Sequence, residues 1–228
     1  MVHTDGLVQR IELSGGHVPS VIVYSDRQIS DVKSICFGIE KQSDRYVLGF
    51  DKTYNLGAIF VTPSVYKHPA LTRRRTGNNP VFLGPIFIHG HSDFSTYNYF
   101  FAHLLACFSD CPGDYLTVGS DDEVAMCKAM QHSFGSASFI VCTRHLKENV
   151  VRQLDAHMSN TSTLQKRLVA ELFGTNGLTS FNDVISFDDA AQKFRRGTLQ
   201  EASPYLQQYI ERRILLLLRL NVTAGKAG

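Results

Sequence analysis

The chain has 228 residues, with 23 Lys and Arg against 21 Asp and Glu and a formal net charge of +2. That length supports one large domain, or one core with a sizeable insertion, and the near balance of charge excludes a global polyanion-binding bias, so any nucleic-acid surface is a local patch. The five cysteines (36, 107, 111, 127 and 142) form no regular framework, and the opening "MVHTDGLVQRIELSGG" lacks the apolar run of a secretory signal; both predict a soluble protein of a reducing, intracellular compartment.

Residues 1–44 read as a loosely held, Gly-rich and polar segment followed by one short helix, "SDRQISDVKSICFG", with Ser25 or Asp26 as N-cap and Gly38 as its stop. Three strands follow. "RYVLGFDKTYNL" (45–56) and "AIFVTPSVYKH" (58–68) flank Gly57, a hairpin signal, and "PVFLGPIFIHG" (80–90) is the third. Pro85 requires that this third strand lie at an edge or carry a bulge, because proline donates no ladder hydrogen bond. The period then changes. "SDFSTYNYFFAHLLACFS" (92–109) places Phe94, Tyr97, Phe101, Leu104, Leu105 and Phe108 on one helical face, capped by Ser92 or Asp93. "YLTVGS" is a strand, "DDEVAMCKAMQHSFG" a helix, "SFIVC" a strand and "RHLKENVVRQLDAH" a helix. From residue 160 onward three helices are expected, the last capped by Ser203 with Pro204 at its first position. Its run "ILLLL" (214–218) is too short for a bilayer span and suits a core helix, so no membrane partner is expected. The fold class is α/β: an antiparallel three-strand meander, then α-β-α-β-α, forming a mixed five-stranded sheet with an all-helical appendage.

Two acids stand out. Asp51 interrupts an apolar strand, where an unneutralised carboxylate costs several kcal/mol. Asp121 stands at the carboxyl end of another strand, where α/β sheets place their chemistry. If the two strands are neighbours, the carboxylates converge, and oxygen-only ligation favours Mg2+ or Mn2+. The alternative is local: Asp121 or Asp122 caps the helix at 123–134, and Asp51 sits in an exposed turn.

The runs "GFDKTYNLGAIFVTP", "GPIFIHG" and "VGSDDEVAMCKAMQHSFGSASFIVCTRHLKENV" resemble the transposase domain of Mutator-like elements (MULE), a DDE transposase of the ribonuclease H-like superfamily. The resemblance implies a ribonuclease H-like core at 45–157 and a helical insertion at 158–228. It implies that Asp51 and Asp121 are the first two catalytic aspartates, holding two Mg2+ (or Mn2+) ions for DNA cleavage and strand transfer. Cys142 and His145 match the family's C-x-x-H beside the site, and Asp122 replaces a residue that is commonly small. DNA is the implied partner, with a homo-oligomer as a candidate assembly, no small-molecule cofactor, and the nucleus as compartment. The family's third acid follows the insertion in a Trp-containing segment. This chain ends "NVTAGKAG" and contains no Trp, so the expectation is a transposase fragment with an incomplete catalytic set. The alternative is a domesticated DNA-binding or protein-interaction module without catalysis. Glu148 and Asp155 are weaker substitutes for the third acid, both on the helix after Cys142.

Three further groups complete the expectations. Arg73, Arg74 and Arg75 on the second connection are either phosphate contacts or a solvated hairpin tip. Cys107 and Cys111 fall at the opposite end of the sheet from Cys142 and His145, too far for one zinc ion. Cys142 and His145 are otherwise a strand-end filler and a helix-start hydrogen-bonding residue.

Overall fold

A computed structural model describes residues 6–13, 18–37, 46–112, 116–158 and 163–225. The chain divides into two units, Met1–Ser138 and Phe139–Gly228, and the architecture is α/β.

The first unit is built on a mixed sheet. Its strands are β1 (Val8–Glu12), β2 (Ser20–Val23), β3 (Val47–Phe50), β4 (Thr53–Leu56), β5 (Ile59–Lys67), β6 (Val81–His89) and β7 (Thr117–Ser120). They lie in the order β1-β2-β6-β5-β3-β7, with β4 paired to β5. All contacts are antiparallel except β3 with β7, which are parallel. The hairpin expected around Gly57 joins β4 to β5: Leu56 pairs with Ile59, and Gly57 takes a φ of 73° at the first turn position, a conformation glycine adopts without steric cost. Strand 45–56, read as one element, breaks at Asp51 and Lys52. Both halves still pair antiparallel with β5 in one register, Phe50 with Ser64 and Thr53 with Val61, and β3 pairs with β7 along its other edge.

Pro85 sits in an interior strand, between β2 and β5, and the bulge is the device that accommodates it. The β5–β6 register shifts between Pro63 and Val65, pairing with β2 begins only at Ile86, and the Ser64 hydroxyl donates to Pro85 O at 2.8 Å.

Two helices cover one face of this sheet. α1 (Asp26–Cys36) begins with a capping box: the Ser25 hydroxyl accepts the Gln28 N–H, and the Gln28 side chain accepts the Ser25 N–H. Its expected stop, Gly38, lies outside the described residues. α2 (Phe94–Cys107) is capped by Asp93, whose carboxylate accepts the Thr96 N–H at 2.9 Å. Its buried stripe is Tyr97, Phe100, Phe101 and Leu104. Phe94 and Leu105, expected on that face, are 42% and 45% exposed. The true face is rotated toward Phe100, which stacks on Phe87 of β6 at 4.9 Å, while Phe101 meets Phe50 of β3 edge-on at 5.0 Å. β1 and β2 depart from the expected loose N-terminal segment. All five residues of β1 are exposed, so no inside–outside alternation marks the strand in the sequence. The unit closes with α3 (Val124–Ser133), and the Ser138 N–H donates to Leu116 O at 2.9 Å.

The second unit starts in β8 (Ser138–Val141) and continues through α4 (Thr143–His157), α5 (Thr163–Phe173), α6 (Val184–Arg196), α7 (Pro204–Tyr209) and α8 (Leu215–Thr223). α4 belongs to this helical core, although the sequence places it with the sheet: Leu146, Val150 and Leu154, one turn apart, are buried with Leu168 and Leu172 of α5 and Phe187 of α6. Ser203 caps α7 with Pro204 behind it, as expected. One π-helical turn, Ile210–Ile214, joins α7 to α8, and of the "ILLLL" run Ile214, Leu215 and Leu218 are buried. Asn221 of α8 clamps the end of β8, accepting the Val141 N–H at 2.7 Å and donating to Val141 O at 2.8 Å. Among the described residues no helix is long and apolar enough to cross a membrane.

Candidate functional site

The carboxyl ends of β3 and β7 lie side by side. The two strands run in step from Val47↔Thr117 to Phe50↔Ser120. Asp51 and Asp121 therefore follow at adjacent positions, one residue past the paired stretch, with their backbones roughly one strand spacing of about 4.8 Å apart. Asp51 is half-buried, its N–H donates to Pro63 O at 3.3 Å, and its carboxylate makes no hydrogen bond or ion pair among the described residues. Asp121 is also half-buried and braces the turn that follows: its Oδ1 accepts the Glu123 N–H at 3.4 Å. The N-cap of α3 is Glu123, without a side-chain cap bond. Neither Asp121 nor Asp122 holds that position, because the chain takes two further residues to turn from β7 into the helix.

Next to these acids lies a buried polar network. Lys52 follows Asp51, yet its side chain is only 6% exposed and its ammonium meets Glu123 Oε1 at 2.7 Å; the Glu123 side chain is 18% exposed. Lys52 also donates to Ser92 Oγ at 3.2 Å and stands 5.2 Å from the Phe60 ring centroid. The Tyr97 hydroxyl donates to the other Glu123 oxygen at 3.0 Å. Burial, reinforced by the Glu123 and Asp121 carboxylates, pushes the Tyr97 phenol far above its ordinary pKa, so it remains a donor. The Cys127 thiol, whose Sγ lies 3.5 Å from Ser120 Oγ, is likewise raised, first by burial and then by the charges of Asp121, Asp122 and Glu123. It behaves as a neutral thiol rather than a thiolate nucleophile.

His89, at the end of β6, closes the network from below. Its Nε2 lies 2.8 Å from Thr62 Oγ1 and its Nδ1 2.6 Å from His91 O. A carbonyl oxygen can only accept, so Nδ1 carries the proton and Nε2 accepts from the threonine hydroxyl. The ring stacks on Phe87 at 4.5 Å. Burial lowers the His89 pKa below its usual value; the Lys52 charge adds to this, while the His91 carbonyl, Glu123 and Asp93 oppose it. His103 is lowered too, by burial and by Arg10. A histidine that stays neutral in the fold is protonated first in the unfolded chain. Stability is therefore undiminished above the unfolded pKa of about 6.5 and falls as pH drops below it, by at most about 1.4 kcal/mol per pH unit for each histidine. Denaturant titrations between pH 7.5 and 5 should show this decline, and His89→Gln should flatten it. An equal slope in the variant would remove His89 as the cause.

The remaining candidates fall in both units. Arg73, Arg74 and Arg75 are exposed on the β5–β6 connection, in a turn closed by Arg73 N–H to Asn78 O at 2.8 Å with Gly77 at φ 71°. Cys142 and His145 belong to the second unit: Cys142 is the N-cap of α4, and His145, half-buried, has an Nδ1 without a hydrogen-bond partner among the described residues. Glu148 is exposed and paired with Arg144 at 3.0 Å, one turn before it rather than with Arg152 one turn after. Asp155 accepts from Gln165 at 2.6 Å. Cys107 and Cys111 lie in the first unit, Cys107 with its Sγ 3.1 Å from the Tyr24 hydroxyl. Among the described residues there is no group of three or more His, Cys, Asp or Glu arranged to hold a metal ion. Lys52 and Glu123 are the residues that sequence reasoning missed. The signal was present: Lys52 interrupts the same apolar run that singles out Asp51. No protein-family model matches the chain, and no curated protein matches it.

Proposed function

We propose that the chain is a transposase-derived, ribonuclease H-like module of the Mutator-like kind, which binds DNA in the nucleus and seats one Mg2+ or Mn2+ ion on Asp51 and Asp121. The observation that carries this reading is the register of β3 with β7, which sets the two acids at adjacent positions just past the paired stretch. The strand order β6-β5-β3-β7, antiparallel through β3 and parallel beyond it, supports the ribonuclease H-like assignment.

The donor set suits a single hard cation. Magnesium is commonly held by one or two carboxylates while it keeps several waters. The resemblance implies two ions, but with no group of three ligating side chains among the described residues the reading is limited to one. Such an ion, when bound, polarises a phosphodiester oxygen and acidifies a coordinated water. The chain's own residues place the two carboxylates, and Lys52 neutralises Glu123 beside them. The corresponding function is cation-dependent DNA binding without complete strand transfer.

Calorimetric titration with Mg2+ and Mn2+ tests the seat. The wild-type chain should take up one equivalent, and Asp51→Asn and Asp121→Asn should each weaken binding about tenfold or more, because affinity follows the charge of the ligand set. Binding that is absent in the wild type, or unchanged in both variants, rejects the reading.

A further inference from the structure

The two units differ in charge. Residues 139–228 hold 12 Lys and Arg against 8 Asp and Glu, a net of +4, whereas residues 1–138 hold 11 against 13, a net of −2. Within the second unit α4 and α5 carry five of the twelve cations, Arg144, Lys147, Arg152, Lys166 and Arg167, against Glu148, Asp155 and Glu171. The two helices are neighbours, tied near their connection by the Gln165–Asp155 hydrogen bond. Between them an open cleft of about 320 Å³ is walled by Lys147 and Lys166 and floored by Val169, Ala170 and Phe173. A second cleft of about 590 Å³ adjoins it at Lys147 and continues along α4 past Arg144, Glu148 and Arg152.

Four cations and two carboxylates line this combined groove. Glu148 is engaged by Arg144. Lys147 and Lys166 are exposed and make no ion pair or hydrogen bond among the described residues, and Arg152 acts on Glu148 only through its field. Lys147 and Arg152 are five residues apart, about 7.5 Å along the helix axis. The groove therefore sets the spaced cations Lys147, Lys166 and Arg152 beside an apolar floor that includes a half-buried aromatic ring. An enclosed small-molecule site would bury most of its ligand, and this groove is open along its length. Spaced cations beside an aromatic surface match a polymer of phosphates carrying flat bases.

We propose that the α4–α5 groove is a binding site for single-stranded DNA, with Lys147, Lys166 and Arg152 on consecutive phosphates and Phe173 under a base. The choice of DNA rests on the function proposed above; the groove itself rests on the second unit alone.

The test is fluorescence anisotropy of a labelled single-stranded DNA dodecamer against the full chain, over a series of salt concentrations. Replacing Lys147→Gln and Lys166→Gln together removes two phosphate contacts. The logarithmic salt slope should become shallower by about 1.4, and affinity at 50 mM salt, measured against a 1 M reference, should fall about 60-fold. Phe173→Leu, which keeps an apolar side chain against the helical core, should weaken binding about tenfold through lost stacking. Circular dichroism checks that each variant is folded. An unchanged slope and affinity in the double lysine variant overturns the proposal, as does a wild-type chain that binds no DNA. Displacement by inorganic phosphate or by poly-glutamate as readily as by unlabelled DNA overturns it in favour of a small-anion or acidic-peptide site. Binding lost only when Arg73, Arg74 and Arg75 are changed to Gln moves the contact to the first unit. Cation uptake measured without DNA reports on Asp51 and Asp121 separately, so either conclusion can fail alone.

Discussion

Lys52→Met destabilises the first unit by about 3–5 kcal/mol, the range expected when one member of a buried ion pair is removed and the other charge stays behind. The methionine keeps the length and the apolar stem of lysine, so packing against Phe60 changes little. The losses include the 2.7 Å contact to Glu123, the bond to Ser92 and the ammonium's contact with the Phe60 ring. Glu123 is then a largely buried carboxylate held only by the Tyr97 hydroxyl, short of the hydrogen bonds it needs away from water. The double variant Lys52→Met, Glu123→Leu should recover most of the loss, because burying two apolar groups in place of a pair is often neutral or better. A double-mutant cycle read by urea unfolding therefore shows strong coupling. A single variant within 1 kcal/mol of wild type would show that the pair is solvated and does not organise the strand ends.

That pair also marks where sequence reasoning stops. Local chemistry was legible: Ser25 or Asp26 announced α1, Ser92 or Asp93 announced α2, Gly57 the β4–β5 turn, and Ser203 with Pro204 the start of α7. Each depends on residues within a few positions of one another. The Asp51–Asp121 juxtaposition was legible at longer range because both acids end apolar runs and parallel strands align their carboxyl ends. Lys52 and Glu123 are 71 residues apart and resemble solvated charges until the β3–β7 pairing brings their positions together. β1 was illegible for the opposite reason: an edge strand exposed on every residue buries nothing, so it carries no periodic signal. The rotation of the α2 face has a different origin. Phe100 and Leu105 are equally apolar, and only the positions of Phe50 and Phe87 in the sheet decide which turns inward.

Phe50→Ala is the substitution that separates the fold from the site it carries. Phe50 is 2% exposed, meets Phe100 at 6.0 Å and Phe101 at 5.0 Å, both edge-on, and immediately precedes Asp51. Truncating such a ring removes its transfer free energy and leaves a cavity between β3 and α2, a loss of about 3–5 kcal/mol. The consequence reaches the acids because Phe50 is the last β3 residue in register with β7. Without its anchor on α2 the strand end frays, and Asp51 is no longer held beside Asp121. Phe50→Ala should therefore lose both stability and divalent-cation uptake, whereas Asp51→Asn should lose uptake with stability held within about 0.5 kcal/mol, as for a substitution outside the core. Phe50→Leu refills most of the cavity, so it should restore uptake ahead of full stability. Unfolding curves and cation titrations on the same three variants decide the matter. If Phe50→Ala takes up the cation as wild type does, Asp51 and Asp121 are held together by something other than the packing of β3 under α2.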